Sequence, residues 1–156
     1  MNSPSTLLLQ WQKLAPKFGG TWLFSRILGR MAPYSGSIKP RVVELSPGRA
    51  VVLMHDRQAV RNHLQSVHAI ALMNLGEIST GLAVLACLGS DRRGIVTKLS
   101  MEYSKKARGT MRATCEFHPP APDFEGPFTV RANLVDEEGD VVSVATAEWT
   151  IGFKPK

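Results

Sequence analysis

The stretch Val67–Leu88, VHAIALMNLGEISTGLAVLACL, constrains this chain more than any other part of it. Apart from His68, Asn74, Glu77 and a few small hydroxyl or glycine positions, it is apolar on every side. A surface helix carries one apolar stripe, so a helix apolar all round has to be wrapped by the rest of the protein. Alanine, leucine and methionine dominate the stretch, and their helix propensity agrees with burial. At ~1.5 Å per residue such a helix runs about 33 Å, enough to cross a small domain. A membrane span is the rival reading, since about 18 or more apolar residues raise it. Asn74, Glu77 and Gly81 interrupt the run, and polar-alternating segments follow it, so the stretch reads as a buried helix. Glu77 then needs an explanation, because burying an unpaired carboxylate is costly and raises its pKa.

The 156 residues suffice for one domain that buries roughly two thirds of its unfolded surface. Cys87 and Cys115 have no metal-ligand spacing and read as reduced thiols of a cytoplasmic protein. The Leu7–Leu9 run lacks a preceding basic region and is cut short by Gln10 and Gln12, which argues against a secretory signal. The net charge of +6 suits an anionic partner. The basic residues look scattered along the chain and no exposed aromatics run among them, which counts against nucleic acid. A phosphate-bearing small molecule and simple solubility both remain compatible with the charge.

Ser3-Pro4 reads as a helix start, and Leu7, Leu8, Trp11 and Leu14 follow at helical spacing until Pro16 and Gly19-Gly20. A second helical segment, Thr21 to about Arg30, presents Trp22, Phe24, Ile27 and Leu28. These aromatics either cap the open end of a core or form a lid over an acyl-chain channel. Pro33–Gly36 reads as a turn. Ser37–Leu45 and Arg49–His55, joined by Ser46-Pro47-Gly48, read as a hairpin, with Pro40 confining the first strand to an edge or delaying its start. Asp56–Ser66 is a polar approach to the long helix. Beyond that helix the hydrophobic period changes from 3.6 to 2. Ile95, Thr97, Leu99, Met101 and Tyr103 form one alternating face, then Met111, Ala113, Cys115 and Phe117, then Phe128, Val130, Ala132 and Leu134. His118–Gly126 is a proline-rich loop, and Asp136–Asp140 turns the chain into a last strand, Val141–Gly152. One long helix and six largely antiparallel strands predict an α+β architecture with the helix in the concave face of a curved sheet.

Asn62-x5-His68-x8-Glu77 lies on the approach to that helix and its first turns. With the fold reading, it resembles the hotdog-fold acyl-CoA thioesterases, in particular the phenylacetate-pathway-like group. That group's segment runs Asn-x-x-Gly-x-x-His-Gly-Gly, with an acidic residue nine positions after the histidine. Asn62, His68 and Glu77 fall on these positions in register, while Gln65 stands at the first glycine and Ala69-Ile70 replaces the glycine pair. Glycine there would let a thioester approach the backbone closely. The resemblance covers about Ser37 to Ile151. It implies a hotdog core over 37–152 preceded by a helical extension over 1–33, all in one domain, and a homodimer or homotetramer.

In that setting the residues have physically sensible roles. Thioester hydrolysis develops negative charge on the carbonyl oxygen, which helix N-terminal N–H groups around His68 and Ala69 are suited to stabilise. Glu77 in an apolar setting would activate water or attack directly, and Asn62 would hold the water or orient the loop. Asn62 and His68 are equally suited to capping the helix start, and Glu77 to pairing with an arginine in the core or at a subunit interface. Lys105, Lys106 and Arg108 follow a strand and would meet nucleotide phosphates, or form a solvated turn. His55, His63 and His118 lack metal-ligand spacing, so no metal and no cofactor is expected, with acyl-CoA as substrate. The nine residues from His68 to Glu77 span about 2.5 turns, so the two point to opposite sides of one helix about 13 Å apart along its axis. Two antiparallel helices of a two-fold dimer would bring the helix start of one subunit to Glu77 of the other. The expected function is hydrolysis of an acyl thioester, on CoA or an acyl-carrier protein. The rivals are a non-catalytic acyl-thioester binder and a purely structural dimer of the same fold, with no nucleic-acid partner and no membrane span.

Overall fold

A computed structural model describes residues 4–155 of the chain. Ser3, read above as a helix cap, lies outside them; the first helix, α1 (Thr6–Leu14), is capped instead by Ser5, whose hydroxyl accepts the Leu8 N–H. Two more helices follow, α2 (Gly20–Met31) and a single turn, α3 (Pro33–Gly36), where the sequence suggested only a turn. Pro33 at the first helical position pre-sets that turn's φ, which explains why it closes as a helix. The hairpin comprises β1 (Arg41–Ser46) and β2 (Arg49–Met54), so Pro40 does delay the first strand. A 3-10 turn over Gln58–Val60 leads to the long helix α4 (Ala69–Leu85). Four strands complete the chain: β3 (Arg92–Tyr103), β4 (Met111–Glu116), β5 (Gly126–Val135) and β6 (Val141–Phe153).

The six strands form one sheet in the order β1-β2-β4-β5-β6-β3, and every neighbouring pair is antiparallel. Its inner face carries Val52, Met54, Met111, Ala113, Cys115, Ala132, Leu134, Ala145 and Ala147, all without solvent exposure. Against this face lies α4, with Leu75, Ser79, Thr80, Ala83 and Val84 almost wholly buried. The sequence placed this helix from Val67 to Leu88; it is shorter at both ends because backbone contacts outside the helix claim the flanks. Val67 donates to the Ala107 carbonyl and His68 to the Val60 carbonyl, both at 2.8 Å, so these two residues are extended. At the far end the Gly48 N–H of the β1–β2 turn reaches the Ala83 carbonyl at 3.3 Å. This is the hotdog arrangement expected from the sequence, one helix cupped by an antiparallel sheet.

The sheet closes on α4 at Gly76. A methyl group there would stand 2.6 Å from the Ala145 side chain and 3.1 Å from Met101. The helix backbone therefore rests on β6 with no side chain between them. In β3 the expected alternation holds only from Leu99 onward. The pairing with β6 slips between Val96 and Lys98, so the inward set is Gly94 and Val96, then Leu99 and Met101, and Ile95 turns outward at 52% exposure. A bulge adds one unpaired residue and flips the phase of every side chain before it.

The N-terminal helices α1 and α2 lie over β1, and α3 rests against α4. Trp11 and Phe24 meet edge to face at 5.1 Å and are both buried, closing one end of the core. The Ser25 hydroxyl accepts the Val42 N–H of β1 at 2.9 Å, and the Asn74 amide of α4 donates to the Tyr34 carbonyl of α3 at 3.2 Å. The layer is thus tied to both the sheet and the central helix.

Gly76→Ala is expected to destabilise the protein by about 1–3 kcal/mol, because overpacking against Ala145 outweighs the helix propensity gained. Chemical denaturation checks it; a variant as stable as the wild type would mean that β6 yields freely to α4.

Candidate functional site

The approach to α4 is organised by Asn62. Its side-chain oxygen accepts the Leu64 N–H at 2.9 Å, the Ser66 N–H at 3.3 Å and the Ser66 hydroxyl at 3.2 Å. That side chain replaces backbone partners in a loop too short to form its own ladder. Gln65 sits within this loop at φ +55°, in the left-handed region that favours glycine. The group that this segment resembles has glycine at this position.

His68 is the N-cap of α4, and its Nδ1 accepts the Ile70 N–H at 3.0 Å. This fixes the ring as the tautomer with its proton on Nε2 whenever the cap is in place. The His68 N–H is already donated to Val60. Of the His68–Ala69 pair expected to bind an oxyanion, only Ala69 has an N–H with no protein acceptor among the described residues. Tyr103, which the sequence placed on a strand face, donates its hydroxyl to the Ala69 carbonyl at 2.9 Å. It holds the first helical peptide in position. No local signal marks it, since an alternating strand tyrosine reads equally as core.

Asn62, Ala69, Tyr103 and Lys106 line one surface cavity of about 320 Å³, with Leu64 and Leu72 as its apolar walls. His68, Glu77 and Arg108 are not among its lining residues. Lys105 reaches the cavity wall, but its ammonium is held by Asp136 and Asp140 at 2.8 Å each. The pairing holds the Asp136 carboxyl below the usual carboxylate range and pushes Lys105 upward. Lys105 therefore secures the β5–β6 turn, whereas Lys106 and Arg108 form no ion pair among the described residues. Asp136, Glu138 and Asp140 are also the only group among the described residues with metal-type proximity, and it is the Lys105 ammonium that lies among them.

Glu77 stands in the middle of α4, which runs from Ala69 to Leu85 without a break. It is half-buried, and its carboxylate has no hydrogen-bond or ion-pair partner among the described residues. Burial alone raises its carboxyl above the ordinary glutamate value. Ile70, Met73 and Glu77, at positions i, i+3 and i+7, form the one lane of the helix's first half that the sheet leaves uncovered. Gly81, one turn on, lets the Trp149 ring pack against the helix: a Cβ there would stand 3.2 Å from the ring and 3.8 Å from the Glu77 carboxylate. The two cysteines are no rivals as nucleophiles: burial pushes Cys87 up to about 11 and Cys115 to about 12.

An antiparallel sheet cupping one helix, with a polar pocket at the helix start and a lone carboxylate at mid-helix, defines a chain of the hotdog fold. The family model described as a domain of unknown function, DUF4442, matches residues 20–151, and the chain belongs to that family. No curated protein matches it in sequence. Among solved structures, the genomics target APC5556 is 30% identical with a TM-score of 0.83, over 95% of this chain and 99% of that one. PA5026 from Pseudomonas aeruginosa, a protein of unknown function named a probable thioesterase, is 22% identical with a TM-score of 0.76, over 86% and 96%. The thioesterase SAV0944 from Staphylococcus aureus, as a point mutant, is 16% identical with a TM-score of 0.69, over 79% and 99%. The last two likenesses are likenesses of fold.

Two expectations follow. Gln65→Gly should stabilise the chain by about 1 kcal/mol through relief of the left-handed backbone, read as a higher melting temperature. Glu77→Gln should also raise it, in a pH-dependent way. The folded chain keeps the Glu77 proton to a higher pH than the unfolded chain, whose glutamates titrate near about 4.3. The contribution of Glu77 is therefore most favourable below that value and is lost as pH rises through the folded value. The melting-temperature gap between variant and wild type should widen from about pH 4 to about pH 7. A constant gap would mean that Glu77 is not desolvated.

Proposed function

We propose that this protein hydrolyses acyl thioesters at a site shared between two subunits. The observation that carries the reading is Glu77: an unpartnered, half-buried carboxylate on the only open lane of a helix that is otherwise enclosed. Within one chain, Glu77 and the free Ala69 N–H lie about 12 Å apart along an unbroken axis, too far for one thioester. Two copies related by a two-fold axis, with the Ile70–Met73–Glu77 lanes facing in antiparallel fashion, would cover the exposed apolar side chains and join the two halves. β3 lies at the edge of the sheet, and edge-to-edge pairing there would extend the sheet across the dimer.

In this mechanism Glu77 takes a proton from water as the water oxygen bonds to the thioester carbonyl carbon. The oxyanion so formed faces the Ala69 N–H and the positive end of α4 from the other subunit. Collapse breaks the carbon–sulfur bond, and the thiol leaves with the proton that Glu77 held, giving a carboxylic acid and a free thiol. Asn62 and Tyr103 act as positioning residues through the loop and the Ala69 peptide. Lys106, on the cavity wall, and Arg108, two residues further on, meet the phosphates of a CoA-type carrier; neither has an acidic partner among the described residues. The names of the fold relatives PA5026 and SAV0944 support this class of substrate, and the two free thiols support a cytoplasmic setting.

A second reading is binding without turnover. Ile70 places a branched side chain, 52% exposed, at the helix start, and the His68 N–H is already engaged. Both features narrow the approach of a carbonyl to the backbone.

Purified protein offered a panel of acyl-CoAs should release free thiol, and Glu77→Gln should slow release by about 10²–10⁴-fold while leaving the protein folded. Binding of an acyl-CoA with no thiol release by the wild type would select the second reading, and neither binding nor release would leave only a structural dimer. Sharing of the site is tested by mixing. Glu77→Gln and Asn62→Ala proteins, each nearly inactive, are unfolded and refolded together so that about half the dimers are mixed. Each mixed dimer then has one intact site, and about a quarter of wild-type activity should return. No recovery despite proven subunit exchange would place Glu77 and Asn62 in the same site of one chain.

A further inference from the structure

The charges of this chain are unevenly placed in a way that becomes visible once the helices are positioned. Residues 1–43 contain Lys13, Lys17, Arg26, Arg30, Lys39 and Arg41 and no acidic residue, whereas the remaining thirteen cations and all thirteen acids lie beyond Val43 and cancel. The whole net charge of +6 therefore belongs to the helical layer and the first residues of β1. None of these six cations forms an ion pair among the described residues. Arg26 instead stacks over Trp22, at 5.3 Å from the ring centroid.

The same layer shows apolar side chains to solvent. At ~100° per residue, Trp22, Leu23, Arg26, Ile27, Arg30 and Met31 share one half of the α2 circumference, opposite buried Phe24 and Ser25. Trp22, Leu23 and Met31 are exposed, and Phe18, in the connection between α1 and α2, is fully so. An ordinary surface helix turns polar residues outward; this one turns out apolar residues and two arginines. Behind that face lies a cleft of about 400 Å³ whose walls include Trp22, Arg26, Arg30, Lys39, Arg41 and His55, with no acidic side chain.

Each kind of partner would use these features differently. A second copy of this layer would oppose six unpaired cations to six, so it is a poor match. A nucleic acid would use the cations and leave Phe18, Leu23 and Met31 in water. An anionic bilayer surface uses both, because apolar side chains enter the headgroup–acyl boundary while cations meet phosphates in the same plane.

We propose that the α1–α3 layer is a docking surface for the anionic face of a lipid bilayer. Phe18, Trp22, Leu23 and Met31 enter the interface, and Arg26, Arg30, Lys39 and Arg41 bind lipid phosphates around the cleft. The Ser25–Val42 and Asn74–Tyr34 hydrogen bonds make the core follow the layer, so the protein sits on the membrane as a rigid body. No helix among the described residues is long and apolar enough to cross a membrane, and the contact proposed is peripheral.

Sedimentation of the full chain with vesicles of equal parts phosphatidylglycerol and phosphatidylcholine tests this directly. Binding is expected to these vesicles, to fall steeply as salt is raised, and to be absent with phosphatidylcholine alone. Each cation near an anionic surface contributes roughly fivefold in affinity, so Arg26→Gln with Arg30→Gln should weaken binding about 25-fold. Phe18→Ser with Trp22→Ser should weaken it through the apolar contribution. Arg93→Gln with Arg131→Gln removes the same charge from exposed strand positions and should leave binding unchanged. Equal losses in the two arginine pairs would reduce the effect to net charge and overturn the assignment. So would equal binding to neutral vesicles, no binding at all, or loss of self-association in place of vesicle binding; melting temperatures confirm that each variant is folded.

Discussion

The structure depends on dehydrating a helix that has no polar face. Burying apolar side chains is worth roughly 25 cal/mol for each Å² removed from water, and α4 presents them on nearly every side. A flat sheet could cover only half of such a helix. An antiparallel sheet with the native twist can wrap it, provided the backbone is allowed close at one point. Gly76 is that point, and Ala145 is its counterpart on β6. The loops, the hairpin turn and the N-terminal layer then fit around what the sheet leaves open. What remains uncovered is a narrow lane, and the only charge of the helix stands on it.

That placement sets stability against chemistry in a single side chain. Glu77 lowers the stability of the isolated chain at neutral pH because burial opposes its charge, and no arginine or lysine offsets the effect. A structural carboxylate at this depth is ordinarily paired. Within the chain Glu77 has no arginine partner among the described residues, whereas Arg49, Arg61 and Lys105 all have acidic partners.

How far the sequence could be read follows the range of the forces involved. The long helix, the switch to strands after it and the Ser46-Pro47-Gly48 turn are local patterns, and each is present. The alternation in β3 was only half legible, because the slip between Val96 and Lys98 is decided by pairing with β6, far off in sequence. The helix ends were misjudged by two or three residues for the same reason: Ala107 and Val60 claim the backbone of Val67 and His68. Asn62, His68 and Glu77 stand out in the sequence by their match to a family segment, but what each touches was not legible there. Asn62 and His68 hold the helix start by hydrogen bonds, Lys105 is engaged elsewhere, and Tyr103 left no mark in the sequence. The uneven charge, by contrast, was there to be counted, and it gained meaning only once α1–α3 proved to form one layer with outward apolar side chains.

The two backbone latches on α4 have a further consequence. The His68 N–H held by Val60 at one end and the Ala83 carbonyl held by Gly48 at the other define a segment of fixed length. One residue inserted between them would rotate everything beyond it by about 100° and advance it by about 1.5 Å. Gly76 would leave β6, a side chain would enter its place, and Glu77 would swing off the open lane. Length variation among relatives should therefore be excluded from 69–83 and fall outside the helix. The helix acts as the ruler against which insertions and deletions elsewhere in the chain are tolerated.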